Sequence, residues 1–243
     1  MSSIRSGIYD FFAKKYIKRN KNAFVSKSDL PENFTVTYHT GAMNTKPNSV
    51  ESVNASIAHG AQIVEFDVTF RPDGTPVIIH SDAPKSNQGV FLENALEAVA
   101  QSDTCMINLD IKSTANLSAV DELVRMYGLT ERVFYTGVFE HFVEAVKRDS
   151  QIPYYLNYNV SQTEASDITA LQNIVKKVKD YGAIGINSNY SHATELFVDT
   201  MRKNGLLVSL WTVNKPADMP KILALRPDNI TTKKPHILKE LIK

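Results

Sequence analysis

Short apolar segments rich in β-branched residues alternate with longer segments of helical periodicity along most of the chain. The short segments lie at residues 34–39, 62–68, 106–112, 132–138, 152–158, 183–188, 206–213 and 228–232. Between them, apolar residues recur at helical spacing over 117–126, 168–178 and 193–201. This alternation predicts a parallel sheet covered by helices. Eight strands fit a closed (β/α)8 TIM barrel over residues 34–243, although an open doubly wound sheet would produce the same periodicity.

One segment interrupts the alternation. Residues 64–82 contain two β-like runs joined by Asp73-Gly74, a dipeptide typical of two-residue hairpin loops. We therefore predict a β-hairpin extension after the second strand. If those two residues form the loop, Asp67 lies opposite His80, while a bulge would shift this register by one residue.

The first 33 residues are predicted to form a basic N-terminal helical extension. Residues 1–27 carry seven basic side chains and one acidic side chain, for a charge of +6, whereas the whole chain has a net charge of +1. A helix packed on the barrel and a peripheral membrane contact through residues 1–27 both remain open. The nearly neutral whole argues against nucleic-acid binding. A single cysteine, Cys105, and the lack of a long apolar run favour a cytoplasmic protein without a transmembrane helix.

Ionisable residues are concentrated where the first three barrel strands end. The first strand ends in His39, the second carries Glu65 and Asp67, and the next carries Asp110 and Lys112. Side chains two residues apart share one face of a strand, and the carboxyl ends of barrel strands form the active-site face. Close carboxylates repel one another, and a hard divalent cation removes that repulsion. Glu65, Asp67 and Asp110 are therefore candidate ligands for Mg²⁺ or Ca²⁺.

Taken one at a time, these residues have simpler interpretations. The Glu65 and Asp67 pair could face solvent, and Asp110 could form a weak surface ion pair with Lys112. A single histidine is usually a satisfied polar residue. The joint placement of all these side chains near strand ends, with His80 brought there by the hairpin, favours a common site.

The motifs resemble those of the glycerophosphodiester phosphodiesterase family and, more distantly, the sphingomyelinase D and phosphatidylinositol phospholipase C barrels. The matching segments are HTGA at 39–42, PNS at 47–49, GAQIVEFDV at 60–68, DGTPVIIHSD at 73–82, DIK at 110–112, WTVN at 211–214 and ITTKKP at 230–235. The resemblance spans about 36–236, and the block over 60–82 is its most specific part. The GxGxxG and Walker A motifs of common nucleotide-binding folds are missing from the sequence.

Several positions depart from the family pattern. The arginine that follows the first histidine is Thr40, so one phosphate-contacting cation is missing, and the glutamate of the Pro-Glu-Asn-Thr motif is absent from 47–49. The third acidic residue is Asp110 instead of glutamate. Only 29 residues separate His80 from Asp110, so the usual insertion is nearly absent. We expect a more open site than in typical members.

The resemblance implies metal-dependent cleavage of a phosphodiester by two-histidine acid–base catalysis. His39 and His80 would exchange protons with the attacking and leaving oxygens, in an order that the sequence leaves open. Lys112 would offset charge on the phosphoryl group. Trp211 would form an apolar wall for a small-molecule phosphodiester or a lipid head group, unless it is a core residue.

Two other functions are compatible with the same motifs. A phosphodiester lyase of the sphingomyelinase D kind would release a cyclic phosphate. A barrel that binds phosphorylated ligands without turnover would account for the missing arginine and glutamate.

Overall fold

Eight parallel strands close into a barrel in the computed structural model, which describes residues 24–243. The barrel strands are β1 (Thr35–Tyr38), β2 (Ile63–Phe70), β5 (Met106–Ile111), β6 (Val133–Val138), β7 (Tyr154–Asn157), β8 (Gly185–Asn189), β9 (Leu207–Trp211) and β10 (Asn229–Thr232). The pairing of β1 with both β10 and β2 closes the cylinder. This closure confirms the TIM barrel and excludes the open sheet.

Helices follow most of the barrel strands. They are α1 (Val50–Ala58), α2 (Leu92–Ala100), α3 (Leu117–Met126), α4 (Val143–Asp149), α5 (Ile168–Asp180), α6 (Glu195–Lys203), α7 (Met219–Ala224) and α8 (Pro235–Glu240). Side-chain oxygens cap several N-termini: Ser49 accepts from Ser52 N–H before α1, and Asp167 accepts from the N–H groups of Thr169 and Ala170. Such caps satisfy backbone donors that have no partner inside the helix.

A short antiparallel extension, β3 (Pro76–Ile78) and β4 (Val90–Phe91), follows β2 and confirms the predicted hairpin. The register expected for a two-residue loop is wrong by one residue, and the shifted alternative is correct, because Asp67 lies opposite Ile79 and not His80. Arg71 N–H bonds to Thr75 O, so the loop contains three residues, with Gly74 at a φ of +82°. A glycine in the left-handed region is what a three-residue hairpin loop with a bulge requires.

The barrel interior is layered along its axis. A small apolar cluster of Ile63, Phe134 and Tyr155 fills the end where the strands begin. Above it lies a hydrogen-bonded polar layer, in which Asn229 Nδ2 donates to Thr37 Oγ1 at 2.8 Å. These buried amides and hydroxyls are tolerated because they bond to one another. The main apolar core lies outside the cylinder, between strands and helices.

The predicted N-terminal helix falls mainly on residues 1–23, which lie outside the described residues. Within 24–33 the chain forms a short 3₁₀ helix at Lys27–Asp29, and Val25 pairs with Ile242 beside the C-terminal end of the barrel domain. Across residues 24–243, no helix has the length and apolar character needed to cross a bilayer.

Candidate active site

Three carboxylates meet at the carboxyl end of neighbouring strands β2 and β5. Asp67 lies directly opposite Asp110 in the parallel register, and Glu65 lies one inward-facing position earlier on β2. One ligand oxygen from each of the three groups lies within 4.8 Å of the others. Glu65 and Asp67 are almost fully buried. Both carboxylates of the Glu-x-Asp pair therefore face the barrel interior and not solvent.

The environment acts differently on the two buried acids of β2. Burial raises the pKa of Glu65 well above its usual value, and the charges of Asp67 and Asp110 raise it further. Burial also opposes ionisation of Asp67, but Lys112, Asn48 and His80 together hold the pKa of Asp67 below its usual value. The cluster thus carries negative charge that Lys112 offsets only in part.

Lys112 contacts two of the three acids. Its Nζ lies 2.8 Å from Asp67 Oδ1 and 2.6 Å from Asp110 Oδ2. Burial lowers the pKa of Lys112, but the carboxylates of Asp110 and Asp67 outweigh this effect and raise it above the usual value. The ammonium group therefore stays charged and leaves Glu65 as the acid without a lysine partner.

His39 follows β1 and faces the acid cluster. Its Nδ1 lies 3.0 Å from the carbonyl oxygen of Thr40 and 3.6 Å from Glu65 Oε2. Burial lowers the pKa of His39, the backbone contact with Thr40 opposes this effect, and the charge of Lys233 lowers the pKa further. The result is an imidazole that is more readily neutral than a free histidine.

His80 approaches the cluster from the hairpin extension. Its Nδ1 lies 3.2 Å from Asp67 Oδ2, although 78% of its side chain is exposed. The one-residue change in hairpin register therefore leaves His80 beside the same carboxylate. The contact is made by a residue just beyond β3, on a segment that bonds to β2 through Ile79 N–H and Asp67 O.

Asn48 supports the site and was missed by the sequence interpretation. Its Nδ2 donates to Asp67 Oδ2 at 2.7 Å, and its Oδ1 accepts the Asp67 backbone N–H at 2.9 Å. The backbone of Asn48 has a φ of +53°, and its N–H donates to Thr40 Oγ1 at 2.6 Å. Asparagine tolerates the left-handed region better than most residues. The sequence feature that could have indicated this role is the position of Asn48 between Pro47 and Ser49, in a motif shared with the family.

All seven residues that the sequence singled out line one cavity of about 870 Å³ at the carboxyl ends of the strands: His39, Glu65, Asp67, His80, Asp110, Lys112 and Trp211. Trp211, at the end of β9, is partly exposed there, and its Nε1 has no hydrogen-bond partner among the described residues. The cavity is also lined by Phe139 and Lys233, which the sequence interpretation did not include.

Comparison with known proteins places this geometry in a family. The model described as "Glycerophosphoryl diester phosphodiesterase family" matches residues 39–118 and 83–237. The chain belongs to this family. A glycerophosphodiester phosphodiesterase from Caldanaerobacter subterraneus subsp. tengcongensis is 21% identical over 245 residues, which cover 86% of this chain and 97% of the relative.

Solved structures of the glycerophosphoryl diester phosphodiesterase family have the same fold. The Thermotoga maritima glycerophosphodiester phosphodiesterase superposes with a TM-score of 0.67 at 21% identity, covering 86% of this chain and 98% of that one. An Oleispira antarctica phosphodiesterase, solved in complex with the product sn-glycerol-3-phosphate, superposes with a TM-score of 0.70 at 17% identity, covering 89% and 99%.

The departure from the family pattern at Thr40 has a structural counterpart. Thr40 is buried, its N–H donates to Glu65 Oε2 at 2.8 Å, and its hydroxyl accepts from Asn48. Thr40, which stands where the family pattern has arginine, thus positions Glu65 and Asn48 and brings no positive charge to the cavity.

Proposed function

We propose that this protein is a metal-dependent phosphodiesterase that hydrolyses a glycerophosphodiester or a lysophospholipid-like substrate by two-histidine acid–base catalysis. The observation that carries the proposal is the convergence of Glu65, Asp67 and Asp110 in one cavity between His39 and His80. Family membership supports the reaction class.

The donor set fits a hard divalent cation. Glu65, Asp67 and Asp110 would hold it, since their oxygens are the ligands that Mg²⁺ and Ca²⁺ prefer and lie close together around a site with excess negative charge. When bound, such a cation polarises a phosphoryl oxygen and offsets its charge. The cation would also neutralise Glu65, the one acid of the three that has no ion pair with Lys112.

His39 is suited to act as the general base. The carbonyl of Thr40 can only accept a hydrogen bond, so the contact at 3.0 Å assigns the proton to Nδ1 and leaves the Nε2 lone pair available. The lowered pKa of His39 keeps the ring neutral near pH 7. Nε2 would take the proton from the attacking oxygen.

His80 is suited to act as the general acid. Its Nδ1 lies 3.2 Å from Asp67 Oδ2, so the carboxylate would pair with the protonated ring and orient it. The opposite nitrogen would then deliver a proton to the leaving oxygen. Because the His80 side chain is largely exposed, a bulky leaving group can reach it from the cavity mouth.

Lys112 and Trp211 would act on the substrate without moving protons. Lys112 holds a positive charge at the acid cluster and would offset charge that develops on the phosphoryl group. The partly exposed indole of Trp211 would form a wall for the carbon part of the substrate.

A substrate panel tests the proposal. Glycerophosphodiesters, lysophospholipids and a chromogenic phosphodiester are incubated with Mg²⁺, Ca²⁺ or Mn²⁺, and turnover should vanish with EDTA. We expect His39→Ala and His80→Ala each to lower the rate by roughly 10²–10⁴-fold, whereas His192→Ala, on an exposed turn, should retain wild-type activity. Activity that survives loss of either cavity histidine would refute the two-histidine mechanism.

Product analysis separates the alternatives. Phosphorus NMR that finds a cyclic phosphate as the final product would replace the hydrolase by a lyase. Calorimetric binding of metal and phosphodiester without any product would instead favour a binding protein.

We also propose a peripheral contact with anionic membranes through residues 1–27, supported by their charge of +6. The full chain should sediment with phosphatidylserine-containing liposomes at low salt, and replacing Lys14, Lys15, Lys18 and Arg19 with glutamine should abolish sedimentation. Equal sedimentation of both proteins would refute this contact.

A further inference from the structure

Lys233, just past the end of β10, lines the cavity as a second lysine beside Lys112, which follows β5. The inward-facing positions of β10 are Asn229 and Thr231, which bond within the polar layer or line the cavity. Lys233 continues this two-residue alternation one position past the end of the strand and also lines the cavity. Its side chain is half-buried.

The closure of the barrel places Lys233 next to His39. Tyr38 pairs with Thr232, and His39 N–H donates to Thr232 O at 3.0 Å, so His39 and Lys233 are the next residues on the paired chains. The backbone N–H of Lys233 donates to Asn214 Oδ1 at 2.8 Å, and Thr232 Oγ1 donates to Val213 O at 2.6 Å. The backbone at Lys233 is therefore fixed by hydrogen bonds to the segment that follows β9.

The two lysines of the cavity differ in their partners. Lys112 forms ion pairs with Asp67 and Asp110, so carboxylates of the protein already neutralise its positive charge. Lys233 has no ion pair with any residue in 24–243. The Lys233 ammonium is therefore a positive charge at the cavity that no carboxylate of the described residues neutralises, and it is available to pair with an anionic ligand.

We propose that Lys233 binds a non-bridging phosphate oxygen of the substrate and supplies the positive charge that Thr40 does not. The inference rests on the proposed phosphodiesterase function and names one further substrate-binding residue for it. Lys233 follows β10, whereas Thr40 follows β1, and both residues line the same cavity.

Binding of a phosphate compound tests this role independently of turnover. Calorimetry with the full chain compares sn-glycerol 3-phosphate and glycerol, with and without Mg²⁺. Because a hydrogen bond between charged groups is worth about 10- to 100-fold in affinity, Lys233→Met should weaken sn-glycerol 3-phosphate binding by that factor. Lys233→Arg, which keeps the charge, should stay within about threefold of wild type. Glycerol binding should be the same in all variants.

Lys215→Met is the matched control, because Lys215 is exposed on the loop after β9 and does not line the cavity. It should bind sn-glycerol 3-phosphate as wild type does. In steady-state kinetics, Lys233→Met should raise KM for a phosphodiester more than it lowers kcat, since the lysine holds the substrate and transfers no proton.

The outcomes distinguish this inference from the function on which it rests. If wild type hydrolyses phosphodiesters but Lys233→Met binds sn-glycerol 3-phosphate normally, the role of Lys233 is refuted and the function stands. If no diester is hydrolysed but binding depends on Lys233, the function fails and the anion site stands. Equal weakening in Lys215→Met and Lys233→Met, or no binding to wild type, would also refute the proposed contact.

Discussion

Replacing Glu65 with glutamine is expected to stabilise the metal-free protein and to weaken its response to a divalent cation. The two effects have opposite signs because one carboxylate is both a source of repulsion and, in the proposed function, a metal ligand. Glutamine keeps the shape and an oxygen that can accept the Thr40 N–H, so the substitution removes charge with little change in packing.

The size of the first effect follows from the spacing of the acids. The ligand oxygens lie within 4.8 Å of one another, and two unit charges at that separation repel by ~3.5 kcal/mol at an effective dielectric constant of about 20. Lys112 already offsets part of this repulsion, so we expect a net gain of about 1–2 kcal/mol, or roughly 2–8 °C in Tm for a domain of this size.

The gain should depend on pH with a definite sign. The folded-state pKa of Glu65 lies above its usual value of 4.5. Protonated Glu65 therefore favours the fold, a contribution that is fully present below pH 4.5 and is lost as the pH rises through the folded-state pKa. Glutamine should match the wild-type Tm near pH 4.5 and exceed it increasingly above that value.

The metal response should change in the other direction. At a metal concentration of about 100 times Kd, binding stabilises the wild-type protein by ~2.7 kcal/mol, which is roughly 5–11 °C in Tm. Loss of one ligand should remove at least half of this shift. The wild-type shift should itself grow from pH 5 to pH 8, because the metal competes with the proton on Glu65.

Differential scanning calorimetry with EDTA, Mg²⁺ or Ca²⁺ measures both effects. Glu122→Gln serves as the control, because Glu122 is exposed on α3 and remote from the cavity. It should change neither the metal-free Tm nor the metal shift. A Glu65→Gln protein that is less stable than wild type without metal, yet shows the full metal shift, would refute the electrostatic account of the cluster.

Gly137→Ala should destabilise the protein by at least about 2 kcal/mol in thermal unfolding. Gly137 has a φ of +75°, and an added Cβ would lie 2.5 Å from Asp110 Oδ1. An unchanged Tm and an unchanged metal shift would contradict this prediction. Asn48→Ala should lower the free energy of unfolding by roughly 1–3 kcal/mol, since the Asp67 N–H loses its acceptor. Asn48→Asp keeps an acceptor but adds a negative charge, so it should lower the Tm without metal, and added metal should restore the Tm. Burial raises the pKa of Cys105 to about 11, so its native-state reaction with a thiol reagent at pH 8 should be roughly 100-fold slower than that of a free cysteine. Rapid labelling without unfolding would disprove this.

Local backbone geometry explains why much of this site could be predicted from the sequence. Strand side chains alternate between two faces, so Glu65 and Asp67 had to share a face, as did Asp110 and Lys112. Asp73-Gly74 predicted a reversal of the chain that returns His80 toward the second strand. These features depend on residues close together in sequence, and the fold preserves them.

Other features depended on contacts between distant parts of the chain. Periodicity did not distinguish a closed barrel from an open sheet, because closure depends on the pairing of Thr35–Tyr38 with Asn229–Thr232 across nearly the whole chain. That pairing also brings Lys233 beside His39. The role of Asn48 and the hairpin register were decided by side-chain hydrogen bonds and by the positive φ of Gly74. The sequence by itself determined which side chains face the barrel axis, and only the tertiary structure decided which of them meet, since the first depends on backbone alternation and the second on strand closure.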